Sequence, residues 1–559
     1  MESILHYLVL AAIAYCLIAV PVRLWKHRYV IRKIRGPPRP SFLLGLLSLT
    51  AVMNPSFSGR EYIGDLEIEW YQQYGTVYRT SGCFGQDTLS VSDPKALQYI
   101  FHSSGYRFPK TRDAHRIGEA LSGPGVVTVE GKIHQRQRRI LGPAFAAPQL
   151  RNFLSVFQAS AMKLTEKITE HIGDAKELNV LKWTSKAALD IIGITSFRYK
   201  FNSLDGAHTE LMGAMDNLLG EALMWPTTWE ILFTALCRIL PEWVFSLLSR
   251  LPNRDAARLS RFRDVATKVS RPIFEKQLIE VANDVDPAEK DIVNVLAMSY
   301  LADGAKKMSD IEIDSQLATF IGAGHDTTAT MMAWLLYELS RHPEDQAKVR
   351  EEIAMTKLNA PGPLTSGNYN SMPLLNAVIK EVLRYHPLVH GLYREPAQDD
   401  VLPLAEPIIM SDGKACSQVP IAKGQLLTGN IPVFRLFGGD DAGEWNPRRF
   451  LEDRGKKQES LGVYANLMTS VRTILPYLRS FIDYLATTGA GIRGCIGWRF
   501  AVMELQSVVT ELLSNFEFSI PRGAPDIQHC PVGFATIPIA LGKAKEGPQV
   551  PLLVTALTK

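Results

Sequence analysis

Thr487-Thr488-Gly489-Ala490-Gly491-Ile492-Arg493-Gly494-Cys495-Ile496-Gly497 runs directly into a helical pattern from Trp498 to Leu513. A cysteine in a glycine-rich turn just ahead of a helix lies near unpaired backbone N–H groups and the positive end of the helix dipole. That setting favours thiolate over thiol. A thiolate with an arginine two residues before it suits an iron whose prosthetic group carries carboxylates needing a cation, so Cys495 reads as the axial ligand of a heme. Two other readings fit the same letters. Gly489-Ala490-Gly491-Ile492-Arg493-Gly494 is a formal GxGxxG dinucleotide turn, with a strand-like run, Phe481 to Ala486, before it and a helix after it. Only about 65 residues follow, too few for the further βα units of a doubly wound sheet. The third reading is a buried structural cysteine.

The rest of the chain weighs these readings. It has 559 residues, 46% of them hydrophobic, and a net charge of +4, which describes a globular protein and not a nucleic-acid binder. Its six cysteines, Cys16, Cys83, Cys237, Cys416, Cys495 and Cys530, form no CxxC pair and no compact framework. That pattern fits a reducing compartment and argues against structural zinc.

Ile4 to Val22 is an apolar run close to the ~20 residues that span a bilayer. Arg23, Lys26, Arg28, Arg32, Lys33 and Arg35 crowd its C-terminal side, so the positive-inside rule places the bulk of the protein in the cytosol. Basic residues before the run and a small-residue cleavage site after it are lacking, which reads as an uncleaved anchor. The expected organisation is a transmembrane anchor over residues 1–22 and a basic hinge over 23–60, which contains the stiff Gly36-Pro37-Pro38-Arg39-Pro40. One catalytic domain over 61–559 follows. Helical periodicity dominates that domain, with strand-like runs near Val77 to Arg79, Thr88 to Val91, Gln425 to Thr428 and Phe534 to Ala540. The fold class is mainly α with a small β portion (α+β).

Gly131 to Arg139 opens an amphipathic helix on which His134 and Arg138, four apart, share a face. It reads either as a solvated charge run or as a clamp for heme propionates beside a docking patch. Met224 to Leu251, with Trp225, Trp229 and Trp243, reads equally as core or as a membrane-dipping surface. Ser309 to Pro343 reads as one long helix that starts with a Ser309-to-Glu312 capping box. Gly322, Gly324 and the polar His325-Asp326-Thr327-Thr328 interrupt its apolar pattern. Such a break can bend a helix and open a groove for dioxygen, with Asp326 and Thr327 relaying protons. Glu381 and Arg384 lie three apart on a further helix, and the loop Trp445-Asn446-Pro447-Arg448-Arg449-Phe450 supplies an arginine to join them.

Together these residues resemble the cytochrome P-450 family of heme-thiolate monooxygenases, in its membrane-anchored microsomal type and with a fungal flavour. The likeness rests on Ala323-Gly324-His325-Asp326-Thr327-Thr328, Glu381-Val382-Leu383-Arg384, Pro447-Arg448-Arg449-Phe450 and Gly491-Ile492-Arg493-Gly494-Cys495-Ile496-Gly497, in the family's order. It implies the family's mainly helical fold and heme b, with Cys495 as the proximal thiolate. Asp326 and Thr327 would deliver protons during dioxygen activation. His134, Arg138, Arg394 and Arg493 would bind the propionates, and Glu381, Arg384 and Arg449 would form a structural triad. Electrons would come from NADPH through a separate reductase, with cytochrome b5 as a further donor. The substrate would be lipophilic, a terpenoid or other secondary metabolite, reached at the endoplasmic reticulum membrane. The expected lining is Phe108 to Val126, parts of Met224 to Leu251, Ile321, Ala323, Leu388 to Leu392 and Phe534.

Two departures from the family pattern stand out. The cysteine loop normally begins with a phenylalanine seven residues before the ligand, where this chain has Thr488, and the 46 positions from Arg449 to Cys495 are more than is usual. Residues 470–488 therefore read as an insertion or a retained intron. A heme-less inactive variant is the alternative they raise, beside the GxGxxG dehydrogenase.

Overall fold

Ser309 and Glu312 open the central helix with a reciprocal cap. The Ser309 N–H donates to Glu312 Oε2 at 3.1 Å, and the Glu312 N–H donates to Ser309 Oγ at 3.4 Å. Two of the N–H groups that every helix start leaves unpaired are satisfied in this way. The helix then runs unbroken from Asp310 to Arg341, through both glycines. The computed structural model describes residues 18, 21–22, 24–45, 65–207, 209–216, 218, 220, 227–241, 244, 254–283, 290–430, 443–451, 491–532 and 535–557.

In chain order the described helices of ten residues or more are α1 (Asp65–Tyr74), α2 (Arg112–Ser122), α3 (Gly131–Leu141), α4 (Ala147–Ile172), α5 (Val180–Phe197), α6 (Thr228–Ile239), α7 (Arg254–Ala282), α8 (Ile292–Leu301), α9 (Asp310–Arg341), α10 (Pro343–Asn359), α11 (Pro373–Tyr385) and α12 (Trp498–Asn515). The strands are β1 (Val77–Ser81), β2 (Asp87–Val91), β3 (Ala175–Asn179), β4 (Gly391–Arg394), β5 (Asp400–Ile409), β6 (Ala415–Ile421), β7 (Leu426–Asn430), β8 (Phe516–Ser519), β9 (Ile527–Val532), β10 (Ala535–Ala540) and β11 (Pro551–Ala556). They form one sheet in the order β1-β2-β7-β4, a second in the order β3-β11-β8, and the hairpins β5–β6 and β9–β10. The four runs read from alternation correspond to β1, β2, β7 and β10. The β5–β6 hairpin carries Pro403, Pro407 and Pro420, residues that strand patterns exclude away from sheet edges.

The main core lies where α9 meets α5 and α12, with α4 packed on both of those helices, and Trp334, Leu335, Ile191, Leu164 and Val508 are buried there. Gly324 lets α5 and α9 come together: a Cβ there would sit 2.6 Å from Ile192 Cδ1. Gly322 likewise faces Phe262 of α7, 3.2 Å from where its Cβ would be. These glycines serve close helix packing, and α9 stays helical through them.

Near the start of the chain, four basic residues of the expected hinge, Lys26, Arg28, Lys33 and Arg39, form ion pairs. Lys26 binds Asp399 at 2.9 Å and Lys33 binds Asp412 at 2.9 Å, at either end of the β5–β6 hairpin. Arg28, Arg39 and Arg79 all reach the buried Asp87. Among the described residues no helix is long and apolar enough to cross a membrane. The expected anchor lies outside the described residues, apart from Ile18, Pro21 and Val22, and so does the suspected insertion 470–488.

Candidate active site

Gly491–Arg493 forms a single tight turn, and Gly497 begins α12, so Cys495 sits between a turn and a helix start as its sequence requires. The Gly497 backbone N–H points to its sulfur. Burial pushes the thiol above its ordinary range, against the opposing pull of this N–H and of the Arg138 charge. The helix start works against that burial, and a directly bound cation would add to its pull towards the thiolate. Cys495 also keeps open surface although protein surrounds its sulfur closely.

Beside it lies a concentration of positive charge. Lys110 Nζ is 3.3 Å from Glu130 Oε1, and Arg493 Nε donates to Glu130 Oε2 at 2.8 Å. The Arg493 guanidinium also lies over the Tyr106 ring, 4.6 Å from its centre. Arg394 is 7% exposed, donates from Nη1 to Tyr393 O at 2.7 Å, and leaves Nε without a hydrogen bond. Burial and the Arg493 charge lower Arg394 to about 10. Lys110 falls to about 8, chiefly by burial, against the raising effect of Glu130 and with a further lowering by Arg394 and Arg493. Arg138 adds a fourth cation, felt by both Cys495 and His134. Three of these cations, Lys110, Arg394 and Arg493, act on the one carboxylate of Glu130, and a buried guanidinium N–H lacks an acceptor. A group bearing two carboxylates fits this cluster, and a heme propionate edge has that chemistry.

His134 belongs to the cluster in a different capacity from the one its basic neighbours imply. Its Nδ1 lies 2.5 Å from the Tyr106 hydroxyl. Burial first, then Lys110, Arg138 and Arg493, lower it to about 4. It is neutral at pH 7, a hydrogen-bonding group and not a cation. Lys110, Tyr106 and Glu130 carry no periodic signal in the sequence. Only the position of Glu130, directly before the turn that opens α3, hints at its part.

On the facing side, Ala323 and Thr327 are exposed one turn apart on α9, and the Thr327 hydroxyl donates to Ala323 O at 2.8 Å. Asp326 Oδ1 lies 2.8 Å from His325 Nδ1. Phe145 connects the two sides: its ring centre is 5.5 Å from that of Phe320, and it is 3.4 Å from where a Gly497 Cβ would be. Gln316 of α9 donates to Gln137 of α3 at 2.9 Å, fixing the basic helix against α9. Of the expected lining, Ile321 is 1% exposed and Phe108 0%, both packed in cores, while Phe534 lies outside the described residues.

Glu381, Arg384 and Arg449 meet. Arg384 donates from Nε to Glu381 Oε2 at 2.7 Å and from Nη2 to Oε1 at 2.6 Å. Arg449 Nε donates to Oε1 at 3.2 Å, and the Asn446 N–H to the same oxygen at 2.8 Å. Both arginines also donate to Glu444 O at 3.0 Å.

The family model for cytochrome P-450 matches residues 66–404 and 440–541. Cytochrome P-450 monooxygenase 81 of Postia placenta is 30% identical over 557 residues, covering 95% of this chain and 94% of its own. Monooxygenase 219 of the same fungus is 31% identical over 516 residues, 89% of each chain. Cytochrome P-450 monooxygenase claQ of Ampulloclitocybe clavipes is 28% identical over 530 residues, 93% of this chain and 92% of its own. The dinucleotide reading of the glycine turn falls, and this chain belongs to the cytochrome P-450 family, as a monooxygenase.

Proposed function

We propose that the protein binds heme b through Cys495 and oxidises a lipophilic small molecule, a terpenoid or other secondary metabolite, with dioxygen and NADPH-derived electrons. The observation that carries this reading is the gathering of Lys110, Arg394 and Arg493 on Glu130, with Arg138 acting on His134 and Cys495, beside the cysteine turn. Lys110, Arg138, Arg394 and Arg493 would hold the propionates, with His134 as a neutral hydrogen-bond partner. Bound there, the heme supplies oxygen activation at iron. The chain's own residues bind, exclude water and move protons: Phe145 and Phe320 close the space beside the turn, and Asp326 and Thr327 hand protons across the open face of α9. A separate flavoprotein reductase donates the electrons, with cytochrome b5 as a second donor.

The same proposal places the catalytic domain on the cytosolic face of the endoplasmic reticulum membrane, tethered by residues 1–22. Ile18, Val22 and Trp25 are 67%, 59% and 64% exposed, and Trp229 on α6 is 72% exposed. Tryptophan on an open apolar surface suits the headgroup layer. Residues 470–488 are proposed to be dispensable. The test is a carbon monoxide difference spectrum of the reduced full chain, followed by NADPH-dependent product analysis with the reductase in membranes. A thiolate-type spectrum and an oxygenated product are expected; no such spectrum overturns the heme-thiolate reading. The variant with 470–488 replaced by one Phe is expected to keep the spectrum, and its loss overturns dispensability.

A further inference from the structure

Three stretches that the sequence marks as lining, Phe108 to Val126, Met224 to Leu251 and Leu388 to Leu392, come together at polar residues. Asp113 of α2 accepts from Arg238 of α6 at both carboxyl oxygens, from Nε at 3.1 Å and from Nη2. Tyr393 of β4, one residue beyond the third stretch, lies within reach of both charges. Glu395 also acts on Arg238, and Glu67 on Tyr393. Asp113 and Arg238 keep 22% and 27% of their side chains exposed, and Tyr393 is half-buried, so open space reaches all three. Arg238 and Glu395 also border a cavity with Leu24, His27 and Gln86.

Side chains alternate along a strand. Arg394 belongs to the cation cluster beside the cysteine turn, so Tyr393 takes the other face of β4, together with Gly391. The Tyr393 hydroxyl is 3.6 Å from where a Gly391 Cβ would be, and the glycine leaves it uncovered on that side. Among the described residues this hydroxyl has no hydrogen-bond partner. Burial raises the phenol above its ordinary range, against the pull of Arg238, so it stays an O–H donor. Nη1 of Arg238, which Asp113 does not use, is a second donor. Donors without an acceptor are costly in a wall that closes on a lipophilic molecule. An anion there would meet three carboxylates, Asp113, Glu67 and Glu395, for one guanidinium, and an ammonium group would bring only further donors. A neutral carbonyl or hydroxyl oxygen accepts from both donors and meets neither penalty.

We propose that Tyr393 is a specificity-determining residue whose hydroxyl binds a neutral oxygen that the lipophilic substrate already carries. This rests on the monooxygenase reading above. The enzyme then acts on a ketone or an alcohol and not on a bare hydrocarbon, so a reaction that oxygenates or hydrates the skeleton precedes it.

The experiment uses the full chain in lipid nanodiscs, with binding read by equilibrium dialysis against empty nanodiscs as blank. The probes are cyclododecanone, cyclododecane and cyclododecanecarboxylic acid, which share one ring. Tyr393→Phe, which removes only the hydroxyl, is expected to weaken cyclododecanone roughly 3–10-fold and to leave cyclododecane unchanged. At pH 7 the acid is expected to bind the wild type more weakly than the ketone, and Asp113→Asn, which removes a negative charge, to narrow that gap. No loss for the ketone, an equal loss for ketone and hydrocarbon, no binding of the ketone by the wild type, or tighter binding of the acid overturns the proposal. Cyclododecane binding in each variant reports an intact pocket. Dialysis does not depend on iron, so a carbon monoxide spectrum of the same preparations tests the heme-thiolate reading separately.

Discussion

Arg449 and Glu381, 68 positions apart in the chain, meet at 3.2 Å with 2% and 0% of their side chains exposed. The loop that carries Arg449 is thereby fixed to the end of α11. Arg384, Asn446 and the Glu444 carbonyl complete the hydrogen bonding, which makes a buried charge tolerable.

Removing one partner strands the others. Arg449→Met is expected to cost about 3–5 kcal/mol, the typical penalty for an unpaired buried charge. Arg449→Lys should recover part of it, since lysine restores the charge without the planar fork that reaches Glu444 O. Thermal unfolding of the purified variants measures both.

Arg394 already has an N–H without an acceptor, so Arg394→Met should do little to the protein without heme. A charge-assisted hydrogen bond is worth about 1.5–3 kcal/mol. Heme transfer to apomyoglobin is therefore expected to speed up by roughly 10–100-fold. An unchanged transfer rate would remove Arg394 from the propionate site.

His134 makes the heme-free protein sensitive to acid. Its folded-state pKa is lowered to about 4 from 6.5, so the unfolded chain binds more protons between these values. Its contribution is complete above about pH 6.5 and is lost as pH falls towards about 4. Thermal melts of His134→Gln should fall less steeply over that window. Bound propionates oppose the surrounding cations, so heme loading should shrink the difference.

Gly324→Ala tests the α5–α9 seam. Alanine gains about 1 kcal/mol of helix propensity, but its methyl would meet Ile192 at 2.6 Å, and overpacking costs about 1–3 kcal/mol. Net destabilisation is expected. In combination with Ile192→Ala, the two changes should be less harmful than their sum, as a denaturation double-mutant cycle would show.

The elements that read clearly are those whose signal is local. The capping box at Ser309 and the 3.6-residue period gave α9 to within two residues. The glycine turn before Trp498 gave the start of α12, and alternation gave β1, β2 and β7. The prolines of β5 and β6 hid that hairpin, because their pairing depends on strands across the turn and on Lys26 and Lys33 from the start of the chain. Gly322 and Gly324 read as helix-weakening residues in α9, and the packing reason for them lies in Phe262 and Ile192 on other helices.

For the site the division is similar. The sequence by itself determined Cys495 before a helix, the Glu381-to-Arg384 spacing, the Asp326-Thr327 pair and, through their common order, the family. Only the tertiary structure placed Lys110, Glu130 and Tyr106 in the cation cluster, turned His134 into a neutral partner, and brought Asp113 and Arg238 to Tyr393. The physical reason is that charge balance and desolvation depend on every group within a few ångströms, and most of those groups lie far away in the chain.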